Sequence, residues 1–129
     1  VKNGIIVGEG RNRRELSKNA LSHAEIEAIN NACRTLGGWR LWQCELFVTL
    51  EPCPMCAGAI INSRIKKVTF GAYDNKAGSF GSVINFNDLP YNHKPEISGG
   101  EYENECAQLL SNFFADLREK RRNAVKNSL

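Results

Sequence analysis

Apolar positions in the first half of the chain predict two helices with a strand between them. Apolar residues recur at helical spacing over 22–36, where Ser22 is the expected N-cap and Gly37 ends the run. The segment 45–50 is rich in β-branched and aromatic residues, which is typical of a strand. A second helix is predicted over 54–63. The proline that begins this segment is compatible with a helix, because the first helical position tolerates proline.

Shorter elements are predicted in the second half of the chain. Strands are expected over 67–71 and, at a sheet edge, over 95–98. The stretch 72–91 between them is rich in glycine, asparagine and serine, which favours a loop. A last helix is predicted over 101–122, and its apolar stripe is expected to pack in the core rather than to stack on bases. Strands that alternate with helices predict one layered α/β domain over 1–129.

The first residues favour a tight turn. The pair Asn3-Gly4 is typical of a type I′ hairpin turn, and the apolar residues 5–7 are expected to form the strand that follows it. Only two residues precede the turn. We therefore expect the partner strand of this hairpin to be largely absent from the sequence.

Composition narrows the class of protein. A chain of 129 residues with 42% hydrophobic content is long enough for one compact domain. Its five cysteines are an odd number at scattered positions, which argues against a disulfide framework and favours a reducing, cytoplasmic location. We expect no membrane partner, since no apolar run approaches the roughly 18 residues that a membrane helix needs.

The net charge of +3 is too small by itself to predict a polyanionic partner. Basic residues nevertheless cluster near both ends of the chain. They are Arg11, Arg13, Arg14 and Lys18 near the start, and Arg118, Lys120, Arg121, Arg122 and Lys126 in the basic helix end and tail over 118–129. Both clusters suit contacts with phosphate groups, although an ordinary solvated surface would have the same pattern.

Two short motifs carry candidate chemistry. His23-Ala24-Glu25 lies at the start of the first predicted helix, and Cys53-Pro54-Met55-Cys56 at the start of the second. One imidazole and two thiolates match the ligands of a catalytic zinc ion, which leaves its fourth position to water. A helix N-terminus also favours the thiolate form of cysteine. The pattern therefore predicts one Zn²⁺ per chain, with His23, Cys53 and Cys56 as its ligands.

Glu25 is expected to move protons rather than to bind the metal, because it lies about 200° from His23 around an ideal helix. It could take a proton from a zinc-polarised water, whose oxygen would add to an amidine-like carbon of a base, and then protonate the departing amine. This chemistry needs no organic cofactor. Taken singly, Ser22-x-x-Glu25 is also a capping box, and Cys-x-x-Cys also occurs in redox pairs and structural zinc sites.

The combination of these motifs resembles the cytidine deaminase-like superfamily and, within it, the bacterial tRNA adenosine deaminases. The resemblance extends over nearly all of the chain. It is carried by Ser22–Ile26, Thr49–Ile60, Ser63–Ile65, Phe70–Gly78, Gly81-Ser82, Asn92-His93 and Phe113-Phe114.

The resemblance implies a three-layer α/β/α fold with a central mixed five-stranded sheet, a homodimer, and conversion of the wobble adenosine in a tRNA anticodon to inosine. It implies that the N-terminal helix and most of the first strand are absent here. Its site residues carry over as follows: zinc ligands at His23, Cys53 and Cys56, a proton shuttle at Glu25, substrate contacts at Asn12, Ala24 and Asp74, and RNA contacts at Arg118, Lys120, Arg121 and Arg122.

Two alternative functions remain open from the sequence. A guanine, cytosine or free-nucleoside deaminase of the same superfamily would share every zinc residue, although the segment 70–82 and the basic C-terminus favour tRNA. A non-catalytic, zinc-stabilised RNA-binding domain would need a fourth protein ligand, for which Cys44 or His93 is available. We instead expect His93 to fix a loop by hydrogen bonding, and Gly8-x-Gly10 to serve turn geometry.

Overall fold

Three parallel strands form the sheet of this protein, which the computed structural model describes for residues 1–128. The strands are β1 (Glu45–Leu50), β2 (Lys67–Ala72) and β3 (Glu96–Gly99). They lie in the order β1-β2-β3, so β3 is an edge strand as expected. All three predicted strands of this sheet are confirmed, with ends that differ by at most one residue.

Four helices accompany the sheet in the described part of the chain. They are α1 (Arg14–Ser17), α2 (Ala24–Leu36), α3 (Pro54–Asn62) and α4 (Glu103–Ser128), and one 3₁₀ turn, Phe86–Asp88, interrupts the loop between β2 and β3. The short α1 was not predicted. Helix α4 continues past its predicted end at Arg122, because the residues that follow include no glycine or proline to stop it. Leu129, the last residue of the predicted basic tail, lies outside the described residues.

The sheet has fewer strands than the resemblance implied: three, all parallel, within residues 1–128 instead of five in a mixed sheet. The tight turn is confirmed, since Asn3 and Gly4 both have positive φ and Lys2 and Ile5 exchange two backbone hydrogen bonds. The strand predicted at 5–7 is not formed. Backbone pairing in this region is limited to isolated bridges, in which Lys2 pairs with Ile5 on one side and with Cys44 on the other.

The free edge of β1 borders a cavity of about 700 Å³. The other walls of the cavity are the extended segment from Ile6 to Arg11 and the exposed side of α2. At one end of it, Val1 and Glu45 exchange two backbone hydrogen bonds of 2.8 Å. The cavity also reaches Ala24 and Glu25 at the start of α2.

Helices cover both faces of the sheet. Val68 and Phe70 of β2 join a buried apolar cluster with residues of α2 and α3. The neighbouring Gly71 points to the opposite face, where a Cβ atom would lie 2.3 Å from the sulfur of Cys106 in α4. Glycine at 71 therefore allows α4 to approach the sheet closely, and the expected three-layer α/β/α order is confirmed.

Much of α4 extends beyond the sheet. We expected its apolar stripe to be buried, but Leu109 is 60% exposed and Phe113 is 50% exposed. That expectation is wrong at these two positions and at Phe114, which is also exposed, because a helix of 26 residues is longer than the short strands on which it packs. No described helix is long and apolar enough to cross a membrane.

Candidate metal and catalytic site

The N-termini of α2 and α3 bring three potential metal ligands together. His23 and Cys53 are the N-cap residues of the two helices, and Cys56 lies in the first turn of α3. The Nδ1 atom of His23 is 3.7 Å from the sulfur of Cys53 and 3.6 Å from the sulfur of Cys56. All three ligand atoms lie within 4.8 Å of one another, so the group could hold a metal ion.

These separations suit zinc. Tetrahedral bonds of ordinary zinc length place nitrogen and sulfur ligands about 3.6 Å apart. The group consists of one partly buried imidazole, one partly buried thiol and one buried thiol, which is the borderline-soft donor set that zinc prefers. The residues that the sequence motifs singled out therefore fit the predicted ion in both chemistry and spacing.

The two thiols of the group differ in protonation. A hydrogen bond from the Cys56 side chain is the main cause that lowers the pKa of Cys53 to about 5, and backbone N–H groups at the start of α3 and His23 add to it. Conversely, the pKa of Cys56 is raised, because its proton is shared with Cys53 and because the side chain is buried. One thiolate and one thiol therefore coexist at neutral pH before any metal binds.

Glu25 lies beside this group, at the second position of α2. Burial raises its pKa, although hydrogen bonds to its own backbone and to the Cys56 side chain act in the opposite direction. A carboxyl group with a raised pKa, next to a metal-binding group, has the properties of a general acid and base.

The capping-box alternative for Glu25 is wrong. His23, not Ser22, is the N-cap of α2: its backbone is extended, and its carbonyl accepts the first helical hydrogen bond from the N–H of Glu27 at 3.1 Å. The side chain of His23 makes no capping hydrogen bond to the helix backbone. The helix starts one residue later than predicted, and this shift places the imidazole at the helix end that faces the two thiols.

Two of the predicted substrate contacts, Asn12 and Asp74, use side-chain oxygens to shape their own turns. The Oδ1 atom of Asn12 accepts a hydrogen bond from the N–H of Arg14 at 3.0 Å. In the same way, Oδ1 of Asp74 accepts from the N–H groups of Lys76 and Ala77. Ala24, the third predicted contact, lines the cavity next to Glu25. Their substrate roles remain predictions.

Gly8 and Gly10 do not form turns, so the role expected for them is wrong. A Cβ atom on Gly10 would lie 2.3 Å from the carbonyl oxygen of Ala24, and one on Gly8 would lie 2.5 Å from that of Ala28. Positions separated by one residue face the same side of an extended chain. Because glycine stands at both positions, the segment can pass directly against the backbone of α2. This close passage places Asn12 near the start of α2.

The two candidates for a fourth protein ligand to zinc lie away from the metal-binding group. Cys44 is buried in the apolar core, and the Nε2 atom of His93 lies 2.7 Å from the carbonyl oxygen of Ile65. Neither joins the metal-binding group found in the described part of the chain. The expected loop-fixing role of His93 is confirmed, and a closed structural zinc site loses its support.

The basic end of α4 lies near α1. Arg121 forms an ion pair with Glu15, which links the end of the last helix to the segment that follows Asn12. Arg118, Lys120 and Arg122 are exposed beside it. The predicted RNA contacts are therefore on the surface, where phosphate groups could reach them.

Glu51, which the sequence places directly after the predicted strand 45–50, has a larger part in the structure. Its side chain is buried with 2% exposure, and it accepts hydrogen bonds from Asp74, Phe80 and Ser82. Burial acts to raise the pKa of this carboxyl, but the hydrogen bonds outweigh it and hold the pKa below its usual value. The sequence contains one signal that could have indicated such a role, which is an acidic residue directly before the Pro-Cys motif.

Comparison with known proteins agrees with this geometry. The family model of MafB19-like deaminases matches residues 1–118. A tRNA-specific adenosine deaminase of Bacillus subtilis (strain 168) is 47% identical over 128 residues, which cover 98% of this chain and 80% of that protein.

Two solved structures also resemble the fold. One comes from a study of A-to-I editing by tRNA:A34 deaminases at the wobble position; it is 39% identical with a TM-score of 0.81, and the match covers 84% of this chain and 79% of that one. The other, a guanine deaminase from Bacillus subtilis, is 32% identical with a TM-score of 0.56 and coverage of 71% and 69%. The chain therefore belongs to the MafB19-like deaminase family, together with the tRNA-specific adenosine deaminases.

Proposed function

We propose that this protein is a zinc-dependent hydrolase that converts the wobble adenosine of a tRNA anticodon to inosine. The observation that carries the proposal is the group of His23, Cys53 and Cys56 with Glu25 beside it, in a chain 47% identical to a tRNA-specific adenosine deaminase. We further propose one Zn²⁺ per chain, no organic cofactor, a homodimer, and a cytoplasmic location, for which the five free cysteines give support.

His23, Cys53 and Cys56 would hold the zinc ion, which supplies a water molecule of lowered pKa when it is bound. The carboxylate of Glu25 would accept a proton from the attacking water as the oxygen adds to C6 of the adenine ring. Glu25 then delivers this proton to the ring nitrogen, takes the proton of the hydroxyl group now on C6, and delivers that second proton to the amine at C6. The C–N bond breaks, ammonia leaves, and the base becomes hypoxanthine with no change of oxidation state.

The substrate proposal rests on the state of the target base. An adenosine in an anticodon loop is already unpaired, so little free energy is needed to turn it into a pocket. The exposed basic residues at the end of α4 support binding of the RNA backbone next to the site. The same adenosine placed in a paired stem is expected to be a poor substrate.

A second candidate function is deamination of guanine, because a guanine deaminase shares the fold at 32% identity. This alternative uses the same four site residues. It makes no use of the exposed basic residues at the end of α4, since a free neutral base has no phosphate.

The test measures inosine formation on an anticodon stem-loop with a wobble adenosine, and the zinc content of the same sample. We expect inosine together with about one zinc per chain. Guanine, cytidine and free adenosine are tested in parallel. Turnover of guanine or cytidine without inosine formation would contradict the tRNA proposal and leave the metal proposal intact. A protein that forms inosine without zinc would contradict the metal proposal.

A further inference from the structure

Glu51 is a buried carboxylate that the proposed reaction does not use. It lies directly after Leu50, the last residue of β1, and two residues before Cys53. The residue is 2% exposed. A buried carboxylate is costly unless hydrogen-bond donors surround it, so the donors around Glu51 indicate what it does.

All of these donors come from one loop, 74–82, which follows β2. Oε1 of Glu51 accepts from the N–H of Asp74 at 3.1 Å and from the hydroxyl of Ser82 at 2.5 Å. Oε2 accepts from the N–H groups of Phe80 and Ser82, both at 3.1 Å. Each oxygen therefore accepts two hydrogen bonds, and the carboxylate binds both ends of the loop.

The middle of the loop is fitted to the same carboxylate. A Cβ atom on Gly78 would lie 2.4 Å from the carboxyl carbon of Glu51, so only glycine allows this approach. The fully buried Ser79 donates its N–H to the carbonyl of Pro52 at 2.9 Å. The loop is thus attached to the two residues that lead directly into Cys53.

The loop depends on these bonds because it lies outside any sheet or helix that could supply hydrogen-bond partners for its backbone N–H groups. The N–H groups of Asp74, Phe80 and Ser82 bond to Glu51 instead of to a neighbouring strand. Without an acceptor, buried N–H groups would each destabilise this conformation.

We propose that Glu51 is a positioning residue, which fixes loop 74–82 against the strand end that leads to Cys53 and so sets the distance between the metal site and Asp74, the predicted substrate contact in this loop. The inference rests on the proposed deaminase function. In this arrangement a single carboxylate joins two parts of the site that are separate in the sequence.

The first variant is Glu51→Gln, which keeps the size of the side chain. An amide has one acceptor oxygen and one donor nitrogen, so two of the loop donors would face another donor. We expect KM for the anticodon stem-loop to rise about tenfold or more, kcat to fall less, and zinc content to stay at about one per chain.

Glu96→Gln is the matched control, because Glu96 is a largely exposed carboxylate at the start of β3. It is expected to leave KM and kcat unchanged. Ser82→Ala is the milder variant: it removes the hydroxyl donor and keeps the backbone N–H bond. We expect it to raise KM in the same direction by a smaller factor.

Hydrogen exchange of the amides of Asp74, Phe80 and Ser82 measures the loop without reference to activity. Exchange is expected to be at least about tenfold faster in Glu51→Gln than in Glu96→Gln. Unchanged exchange together with unchanged KM would overturn the inference. If Glu51→Gln does not fold, an unchanged KM in Ser82→Ala overturns it as well. Faster exchange in a protein that forms no inosine would contradict the proposed function and leave the tie between Glu51 and the loop standing.

Discussion

At the scale of single residues, the two cysteines of the metal-binding group share one proton. Cys53 accepts the hydrogen bond that Cys56 donates, and both lie at the N-terminus of α3, where N–H groups favour negative charge. Cys56 is fully buried whereas Cys53 is partly accessible. The metal-free site therefore holds a thiolate on its more accessible sulfur.

This asymmetry predicts selective alkylation. At about pH 6.5, iodoacetamide is expected to modify Cys53 of the metal-free protein well before Cys56, because its pKa is about 5 and only the thiolate reacts. Labelling is measured by mass spectrometry of proteolytic peptides. Zinc-loaded protein is the control, in which Cys53 should be protected. Faster modification of Cys56 would show that the proton is on the other sulfur.

Replacement of Glu25 separates proton transfer from metal binding. Glu25→Gln is expected to lower kcat by at least about 100-fold, because an amide cannot accept the proton from water. The zinc content should stay at about one per chain, as measured by elemental analysis. Glu105→Gln, on the exposed first turn of α4, is the matched control. Full activity of Glu25→Gln would rule out the proposed proton shuttle.

At the scale of elements, the segment after the hairpin turn is fixed by its close passage along α2. Gly10 contacts the backbone of Ala24, and Arg13 forms an ion pair with Glu27 at 2.6 Å. Both contacts lie within the first turn of α2, next to the residues that carry the chemistry. The position of Asn12 therefore depends on backbone contact more than on its own side chain.

Gly10→Ala tests this passage. The new methyl group would meet backbone atoms of α2, so we expect the free energy of unfolding to fall by about 1–3 kcal/mol in urea denaturation. Gly58→Ala is the matched control: it lies within α3 with no atom near its Cβ position, and is expected to be neutral or stabilising by up to about 1 kcal/mol. Equal effects of both substitutions would show that the close contact is not maintained.

The elements that the sequence predicted correctly are those with local signals. Helix α2 ends at Gly37, whose left-handed backbone and hydrogen bond to Cys33 follow from glycine itself. Its start was placed one residue early, because serine is the better N-cap by preference while His23 takes that place in the fold. The role of Glu51 could not be predicted, since its partners lie 23 to 31 residues away along the chain.

Exposure was harder to predict than secondary structure. The spacing of Leu109 and Phe113 correctly indicates an apolar face on α4, but periodicity cannot say whether another element covers that face. The metal-binding group, by contrast, could be predicted because its signals are local. Its three residues occur in two compact motifs at helix starts, so the only long-range step was to bring two helix ends together.

At the scale of the whole molecule, the ion pair of Glu15 and Arg121 joins the basic end of α4 to α1, the helix that follows the segment lining the cavity. Lys120 and Arg122 stand beside this pair and are exposed. We propose that these exposed charges contact the phosphate groups of a bound RNA.

Removal of these two charges should change the salt dependence of RNA binding. In a Lys120→Ala, Arg122→Ala double variant, the slope of log affinity against log salt is expected to become shallower by about one per residue. Fluorescence anisotropy with a labelled anticodon stem-loop measures it. The control replaces Arg34, in the last turn of α2, and Lys66, directly before β2, both away from the site. An equal change in the control variant would show that removal of positive charge anywhere on the protein has this effect, and that Lys120 and Arg122 form no specific contact surface.

The distance along the chain between the metal-binding residues has a consequence for folding. His23 and Cys53 are 30 residues apart, and β1 lies between them. An ion bound by both in the folded chain and released on unfolding would stabilise the fold by mass action, by about 3–4 kcal/mol when its free concentration is roughly 100 to 1,000 times its dissociation constant. A chelator should thus lower the thermal midpoint as well as activity. A shortage of zinc would then lower the stability of the fold together with the activity, because the same metal bonds support both.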